Sequence, residues 1–316
     1  MVKGGSVSGS SAEVTLVNSS GGRIIISDVS FFGDFVFSQN FKLNGSSSFP
    51  VTVSAGSELY FSGIVSENGC ANGGSIGISY TDVFGIARSF KVNCNSGSSV
   101  VYGAIAHYML DEGTGETTKD SRGSHDGTLL PSGSGPVWQS ACPSEKCLQF
   151  DGLEDYVSSS GFSSLGTSNK PYSFSGWFKA PAGETNGNII HMSSLSSGLG
   201  WCLPPIALYN GKIRGMSWPT TYVYSQNAIS PETWYHFVNA WDSKNGLRLF
   251  VNGKLEGTAP QPAYTASGYS NYIWLAFTPS GCAGNTAWFL GQIDEIKIFD
   301  RSLSSFEACS LCKEHA

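Results

Sequence analysis

The chain has 316 residues, which is enough for two domains with sizeable cores. Charged residues make up only 13% of it, against a usual level of about 25%, so its surface must be rich in hydroxyl and amide groups. A net charge of -6 without a basic stripe argues against nucleic acid and against anionic membrane surfaces as partners. No run of about 18 apolar residues occurs, so the sequence predicts no membrane insertion.

The first part of the chain has the pattern of a β-sandwich. Residues 1–12 are rich in Gly and Ser and predict a flexible leader. Residues 13–102 contain short apolar-alternating segments separated by Ser, Gly and Asn turns, with no helical period. The segments FPVTVSAGSELYFSG (49–63) and ISYTDVFGIARSFKV (78–92) resemble the immunoglobulin-like sandwiches of archaeal pilins and related surface proteins. That resemblance implies an immunoglobulin-like domain.

A short Ser/Gly linker at residues 95–99 runs directly into the next apolar strand, so the sequence predicts a domain boundary near Gly103. The second domain then covers residues 103–316. Its tail after Leu303 combines a Ser cap with helix formers, which predicts a short terminal helix.

Of eight cysteines, two lie in the first part and six in the second, and this even number in each part, on polar loops, indicates disulfides and an oxidising compartment. The sequence therefore predicts an exported protein, extracellular or at the cell surface. Proximity favours the pairs Cys70–Cys94, Cys142–Cys147, Cys202–Cys282 and Cys309–Cys312, although eight cysteines allow 105 pairings. The alternative is a zinc site built from the four cysteines at the two ends of the second domain. Its spacing is only partly typical of zinc, and zinc thiolates are readily lost outside a cell.

Five motifs carry the strongest signal in the second part. WYHFVNAWD (234–242) and LRLFVNGKLEG (247–257) alternate apolar and polar residues and end in an Asn-Gly turn, which predicts strands. They are preceded by DEGTGETTKDSRGSHDGTL (111–129) and LQFDGLEDYV (148–157), and followed by GQIDEIKIFDRSLSSFEA (291–308). This series resembles the laminin-G-like branch of the concanavalin A-like lectin/glucanase superfamily over residues 104–308. The resemblance implies an all-β jelly-roll sandwich.

The same resemblance implies calcium bound where the first and last strands meet, with Asp120, Asp126 and Asp294 as ligands. A Gly/Ser-rich loop such as DSRGSHDG can add backbone carbonyls to these carboxylates, as calcium requires. The alternative is turn chemistry, in which Asp120 and Asp126 form Asx turns and Asp294 caps a loop.

Glycoside hydrolysis requires two cooperating carboxyl groups, and on a strand these must share a face. In GQIDEIKIF, a period of two puts Asp294 on the face of Gln292 and Ile296, and puts Glu295 on the opposite face. The Glu-x-Asp-x-x-Glu signature of glucanases is absent, and the five histidines are scattered. The sequence therefore predicts a protein that is not an enzyme.

Sugar recognition uses exposed aromatic rings together with amide and guanidinium groups. Trp177 and Trp234 lie on regular strands and are predicted to be packing residues. A segment interrupted by Pro, Gly and Thr is predicted to leave the rings of Trp201, Trp218, Tyr222 and Tyr224 on loop rims, with Arg214 and Asn227 nearby as polar partners. A second connection adds Tyr269, Asn271 and Tyr272 to the predicted ligand-binding residues. The alternative is that these residues form small loop cores fixed by a Cys202–Cys282 bridge.

These observations favour a two-domain surface protein, adhesin-like or lectin-like, whose jelly roll binds a carbohydrate or glycoprotein without hydrolysing it. A structural role is the alternative, as a pilin-like, filament or surface-layer subunit that self-assembles through its N-terminal domain and displays the lectin domain. A glycoside hydrolase is the third and least favoured hypothesis.

Overall fold

The computed structural model describes residues 103–282, 284 and 287–315 with their side chains, apart from that of Phe306, and describes eight backbone strands between residues 2 and 93. The chain divides into two compact units, Met1–Val101 with Ser304–Glu314, and Tyr102–Leu303 with His315–Ala316. The terminal helix therefore groups with the first unit, whereas the sequence analysis assigned it to the second domain.

The first unit contains two four-stranded antiparallel sheets, with strand orders β1-β2-β6-β4 and β5-β3-β7-β8. Its strands are β1 (Val2–Ser8), β2 (Ser11–Val17), β3 (Ile24–Phe32), β4 (Lys42–Leu43), β5 (Val51–Val53), β6 (Glu58–Ile64), β7 (Ser75–Thr81) and β8 (Ala87–Asn93). The prediction of a flexible leader at residues 1–12 is therefore wrong, because Val2–Ser8 forms a strand that pairs with Ser11–Val17. Ladder hydrogen bonds use only backbone groups, so a Gly/Ser composition does not prevent the pairing.

The second unit is built almost entirely of strands. They are β9 (Ala104–Tyr108), β10 (Thr117–Thr118), β11 (Gly127–Leu130), β12 (Val137–Gln139), β13 (Cys147–Asp151), β14 (Tyr156–Phe162), β15 (Tyr172–Lys179), β16 (Gly187–Ser193), β17 (Cys202–Tyr209), β18 (Lys212–Ser217), β19 (Thr221–Ala228), β20 (Trp234–Asp242), β21 (Gly246–Val251), β22 (Lys254–Ala259), β23 (Asn271–Leu275) and β24 (Leu290–Phe299). A single 3-10 turn, Ser164–Gly166, follows β14.

Two antiparallel sheets form the sandwich. The front sheet has the order β10-β11-β14-β23-β16-β17-β18-β19. The back sheet has the order β12-β13-β24-β15-β20-β21-β22, and β9 also pairs with β24. Consecutive strands of each sheet are often far apart in sequence, as in a jelly roll. This architecture confirms the predicted fold class.

The core lies between the two sheets and is made by inward-facing residues of both. On β15, Phe174 and Phe178 are fully buried in it, and β20 adds Phe237 and Trp241. Burial of one such side chain stabilises a fold by about 1.5–3 kcal/mol. This face-to-face packing leaves the outer face of each sheet for other uses.

The sequence predicted the strongest elements closely. Trp234–Asp242 is β20, and the Asn252–Gly253 turn joins β21 to β22 with both residues at positive φ, as a tight hairpin requires. The terminal helix α1 (Ser305–Lys313) begins at a capping box in which Ser304 and Glu307 each accept from the other's backbone.

The strand that carries Asp294 and Glu295 departs from the predicted alternation. Its register against β15 shifts between Ser175 and Trp177, and Glu295 has a φ of 51°. This β-bulge inserts an extra residue, so that Ile293 and Ile296 both enter the core. The predicted face assignments of Asp294 with Ile296 and of Glu295 with Ile293 are therefore wrong.

Two of the predicted disulfides, Cys142–Cys147 and Cys202–Cys282, are formed. A bond between Cys142 and Cys147 removes two ligands of the alternative zinc site. The Cys309–Cys312 pair is not bonded together in the structure. These residues lie one turn apart on α1, where Cβ atoms are about 5–6 Å apart, whereas a disulfide needs about 3.5–4.5 Å. Cys70 and Cys94 lie outside the described residues.

Candidate functional site: a tyrosine and arginine cluster on the front sheet

The edge of the front sheet carries a polar and aromatic group on its outer face. On β18, Ile213 and Gly215 face the back sheet, so Arg214 points outward. Its neighbour across the ladder on β19 is Tyr224, and Tyr209 and Tyr222 lie beside it on β17 and β19. We call Tyr209, Arg214, Tyr222 and Tyr224 the Tyr–Arg cluster.

The geometry of this cluster places a guanidinium among three phenol rings. The Cζ atom of Arg214 lies 5.2 Å from the ring centroid of Tyr209 and 5.3 Å from that of Tyr222, within the range of cation–π attraction. The rings of Tyr209 and Tyr224 are 6.2 Å apart. These two rings remain 40% and 39% exposed, so the cluster offers open ring surface beside a buried charge.

Arg214 is only 3% exposed, and burial lowers its pKa. Its Nη2 donates to the backbone oxygen of Gly284, in the loop after Cys282. Its Nε has no acceptor among the described residues. Within residues 103–282, 284 and 287–315, no ion pair joins Arg214 to a carboxylate. The guanidinium is thus incompletely partnered.

Two of the predicted ligand residues, Trp201 and Trp218, are packing residues instead. The rings of Trp201 and Trp218 are 5.5 Å apart, and both pack against the core. Trp201 Nε1 donates to the backbone oxygen of Thr265 at 2.8 Å. These contacts favour the alternative of a loop core for this pair.

The remaining predicted residues are divided between two places. Asn227 is exposed near the end of β19, the strand that carries Tyr222 and Tyr224. Tyr269, Asn271 and Tyr272 lie at β23, which β16, β17 and β18 separate from β19. Asn271 is buried and accepts from Ser267 Oγ, whereas Tyr269 is 73% exposed. The structure therefore does not bring the nine residues into one platform.

Sequence reasoning missed Tyr209, which completes the cluster from the end of β17. The signal was present, because Tyr209 and Lys212 flank the Asn210–Gly211 turn between two strands. It also missed an aromatic row around β23, in which Trp274 stacks on Tyr272 and on Phe277. The only sign of this row in the sequence is the alternation of aromatic residues in NYIWL.

Among the three predicted calcium ligands, Asp120 and Asp126 are linked by a hydrogen bond, whereas Asp294 has other partners. Asp120 accepts from the backbone N–H of His107, Arg122 and His125, as in the turn-chemistry alternative. Asp126 accepts from the backbone of Asp120 and pairs with the exposed Lys119.

Asp294 is fully buried and accepts from the backbone N–H of Ser144. Burial, with the nearby charges of Glu295 and Asp111, raises its pKa to about 7. In the part of the chain with described side chains, no three His, Cys, Asp or Glu residues are grouped as a metal site. As arranged here, the three carboxylates do not fit calcium, and the effect of calcium on the protein stays an untested prediction.

The outer face of the back sheet carries a second buried charge. Glu295 Oε2 lies 2.7 Å from His107 Nε2, 3.2 Å from Lys297 Nζ and 3.5 Å from His315 Nε2. Burial works to raise the pKa of Glu295, but the hydrogen bonds from both histidines and the charge of Lys297 outweigh it and hold the pKa below its ordinary range. We call Glu295, His107, Lys297 and His315 the Glu295 network.

Neither carboxylate of β24 is placed for acid–base chemistry on a substrate. Asp294 is buried against the Ser144 backbone, and Glu295 is engaged by three basic side chains. Ser175 Oγ lies 3.0 Å from His236 Nε2, but burial lowers the pKa of His236 to about 3, which makes it a weak base.

Comparison with known families fixes the lineage of this fold. A family model described as the concanavalin A-like lectin/glucanases superfamily matches residues 151–309, which is half of the chain. The chain belongs to the concanavalin A-like lectin/glucanase superfamily. This assignment agrees with the two-sheet jelly roll and with the motifs in β20 to β24. A search of curated proteins found no match.

Solved structures with a concanavalin A-like fold resemble the chain at low identity. A Trypanosoma rangeli sialidase matches at a TM-score of 0.50 and 10% identity, over 76% of this chain and 42% of the sialidase. Domain 4 of an arabinanase from Geobacillus stearothermophilus matches at 0.49 and 19%, over 66% of this chain and 98% of that domain. The botulinum neurotoxin serotype G binding domain matches at 0.48 and 14%, over 67% and 51%. The likeness to the sialidase shows the fold alone.

Proposed function

We propose that the second unit is a carbohydrate-binding domain and that sugar binds on the Tyr–Arg cluster. The observation that carries this proposal is the pair of half-exposed rings, Tyr209 and Tyr224, that flank the buried guanidinium of Arg214. Membership of a lectin and glucanase superfamily supports the same class of ligand. Because that superfamily hosts several functions, the site must carry the argument.

The chemistry of the cluster suits a sugar. The faces of phenol rings attract the apolar C–H face of a pyranose, while the phenol hydroxyls and the guanidinium can bond its hydroxyl groups. β19 is the edge strand of the front sheet, and Glu256 of β22 accepts from its Gln226 backbone N–H. The approach to the cluster is therefore over the exposed rings of Tyr209 and Tyr224 on the outer face.

We further propose that binding is not followed by hydrolysis. The support is the engagement of the two candidate carboxylates, Asp294 and Glu295, in buried internal contacts. A glycosidase needs an acid and a second carboxylate that both reach the glycosidic bond. The Tyr–Arg cluster itself contains no carboxylate.

An extracellular or cell-surface setting is also proposed, with a free glycan or a glycoprotein as partner. The two disulfides support it, because such bonds persist in oxidising compartments. Among the described residues, no helix is long and apolar enough to cross a membrane. The filament-subunit alternative rests on residues before Gly103, whose side chains are not described.

The test is a glycan array followed by titration calorimetry with the best ligand. Tyr224→Ala and Tyr209→Ala should weaken binding about 5-fold or more, since stacking residues at a binding site cost at least about 1 kcal/mol when truncated. Thermal melting should show both variants folded. Tyr269→Ala removes the exposed tyrosine at β23. If this variant loses binding and the two cluster variants do not, the sugar binds at β23 and not at the cluster.

A further inference from the structure

Arg214 indicates which chemical class of sugar the cluster selects. We infer that the Tyr–Arg cluster recognises sugars that carry a carboxylate, with Arg214 binding the acid group. This inference rests on the proposed carbohydrate-binding function and adds the identity of the ligand's charged group. The partners of Arg214, the shape of its surroundings and the charge of the chain support it.

Two buried arginines of this unit differ in their partners. Arg248 pairs with Asp242 at 3.0 Å, so the fold supplies a counter-ion at that position. Arg214 is as buried, yet the described residues supply it with tyrosine rings and one carbonyl oxygen and with no carboxylate. A buried charge is costly unless it is paired. An anionic ligand would provide the missing counter-ion.

The rings beside Arg214 restrict its orientation. Tyr209 and Tyr222 lie within 5.3 Å of the guanidinium carbon and hold its plane in place. Gly284 accepts from Nη2, while Nε lacks an acceptor among the described residues. A carboxylate is an acceptor-only group that matches this planar fork, and charge-assisted bonds of this kind are about twice as strong as neutral ones.

The charge around Arg214 also suits an acidic sugar. Because the chain has a net charge of -6, an anionic sugar is not attracted by the protein as a whole and needs cations close to its binding site. Lys212 lies two residues before Arg214 on β18, and its Nζ donates to the backbone oxygen of Gln226. Two cations are therefore close together on one strand, beside the exposed rings. Uronic acids and sialic acids both meet this requirement.

The experiment compares each acid with its matched neutral form by titration calorimetry. The probes are an oligogalacturonate against its methyl ester, and sialyllactose against lactose, which separates uronic from sialic acids. We expect at least one acid to bind about 10- to 100-fold more tightly than its neutral partner, the range expected for hydrogen bonds to a charged group. That preference should shrink as salt rises.

Arg214→Gln should remove the preference for the acid, so that the acid and its neutral form bind this variant with equal affinity. Arg122→Gln is the matched control, because this exposed arginine lies in the loop between β10 and β11, at the opposite edge of the front sheet. If Arg214→Gln fails to fold, the wild-type comparison of acid with neutral form decides alone.

The outcomes separate this inference from the proposed function. Equal affinity of wild type for acid and neutral forms, with loss of both in Tyr224→Ala, would overturn the inference and leave carbohydrate binding intact. Absence of binding to any acidic or neutral glycan of the array would overturn both. An acid preference that survives in Arg214→Gln would show that the carboxylate binds elsewhere.

Discussion

A buried charge on the outer face of the back sheet and another on that of the front sheet have opposite surroundings. On the back sheet, Glu295 is contacted by three basic side chains within 3.5 Å. On the front sheet, Arg214 is as deeply buried and is contacted by rings and a carbonyl oxygen. The first charge has counter-ions within the unit, whereas no described residue is a counter-ion of the second.

This difference separates a structural role from a recognition role. A buried charge that has all its partners holds strands in register and contributes to stability when the network is complete. A buried charge with missing partners lowers stability, and proteins retain such sites where a ligand completes them. The Glu295 network and the Tyr–Arg cluster should therefore respond differently to mutation.

The largest expected effect is on the Glu295 network. Glu295→Gln should lower the free energy of unfolding by about 3 kcal/mol, because it leaves buried basic groups without their counter-ion. Chemical denaturation at pH 7 measures this. Glu232→Gln is the matched control, since Glu232 shares a positive φ but is exposed. A loss no larger than that of the control would show that the network is not structural.

A smaller effect, which depends on pH, is expected at Asp294. Its pKa of about 7 lies above the unfolded value, so ionising this carboxyl costs stability as pH rises toward and past 7. Asp294→Asn cannot ionise, so its stability relative to wild type should improve by roughly 2 kcal/mol between pH 5 and pH 8. His191 and His236 have lowered pKa values and so change stability with pH in the opposite direction. They do so equally in both proteins, and their effect therefore cancels in the difference. A difference constant with pH would contradict the buried, protonated state of Asp294.

The fold could be predicted from the sequence where the local alternation of residues matches the faces of the sheet. β20, β21 and the Asn-Gly turn alternate cleanly because one face of each strand meets the core. The bulge in β24 was not readable, because it depends on how Gly176 of the neighbouring β15 meets Ile296. A period of two cannot show where an extra residue is inserted.

The candidate site was readable only in part. Arg214, Tyr222 and Tyr224 lie on adjacent strands of a hairpin, so sequence proximity brought them together correctly. Trp201 and Trp218 have the same loop context as those residues, but Trp201 donates to Thr265 and Trp218 accepts from Gln261, which lie 64 and 43 residues further along the chain. Loop composition indicates exposure, and it cannot indicate which ring a distant loop will cover.

The smallest expected change in stability gives the most direct test of the central claim that Arg214 serves a ligand. Arg214→Met replaces the guanidinium with an apolar side chain of similar length and should change the free energy of unfolding by less than about 1 kcal/mol, because lost cation–π contacts offset a removed desolvation cost. The same variant, titrated with the acidic glycan selected above, should lose at least about 10-fold in affinity. A loss of about 3 kcal/mol in stability with unchanged binding would contradict the account and make Arg214 a structural residue like Glu295.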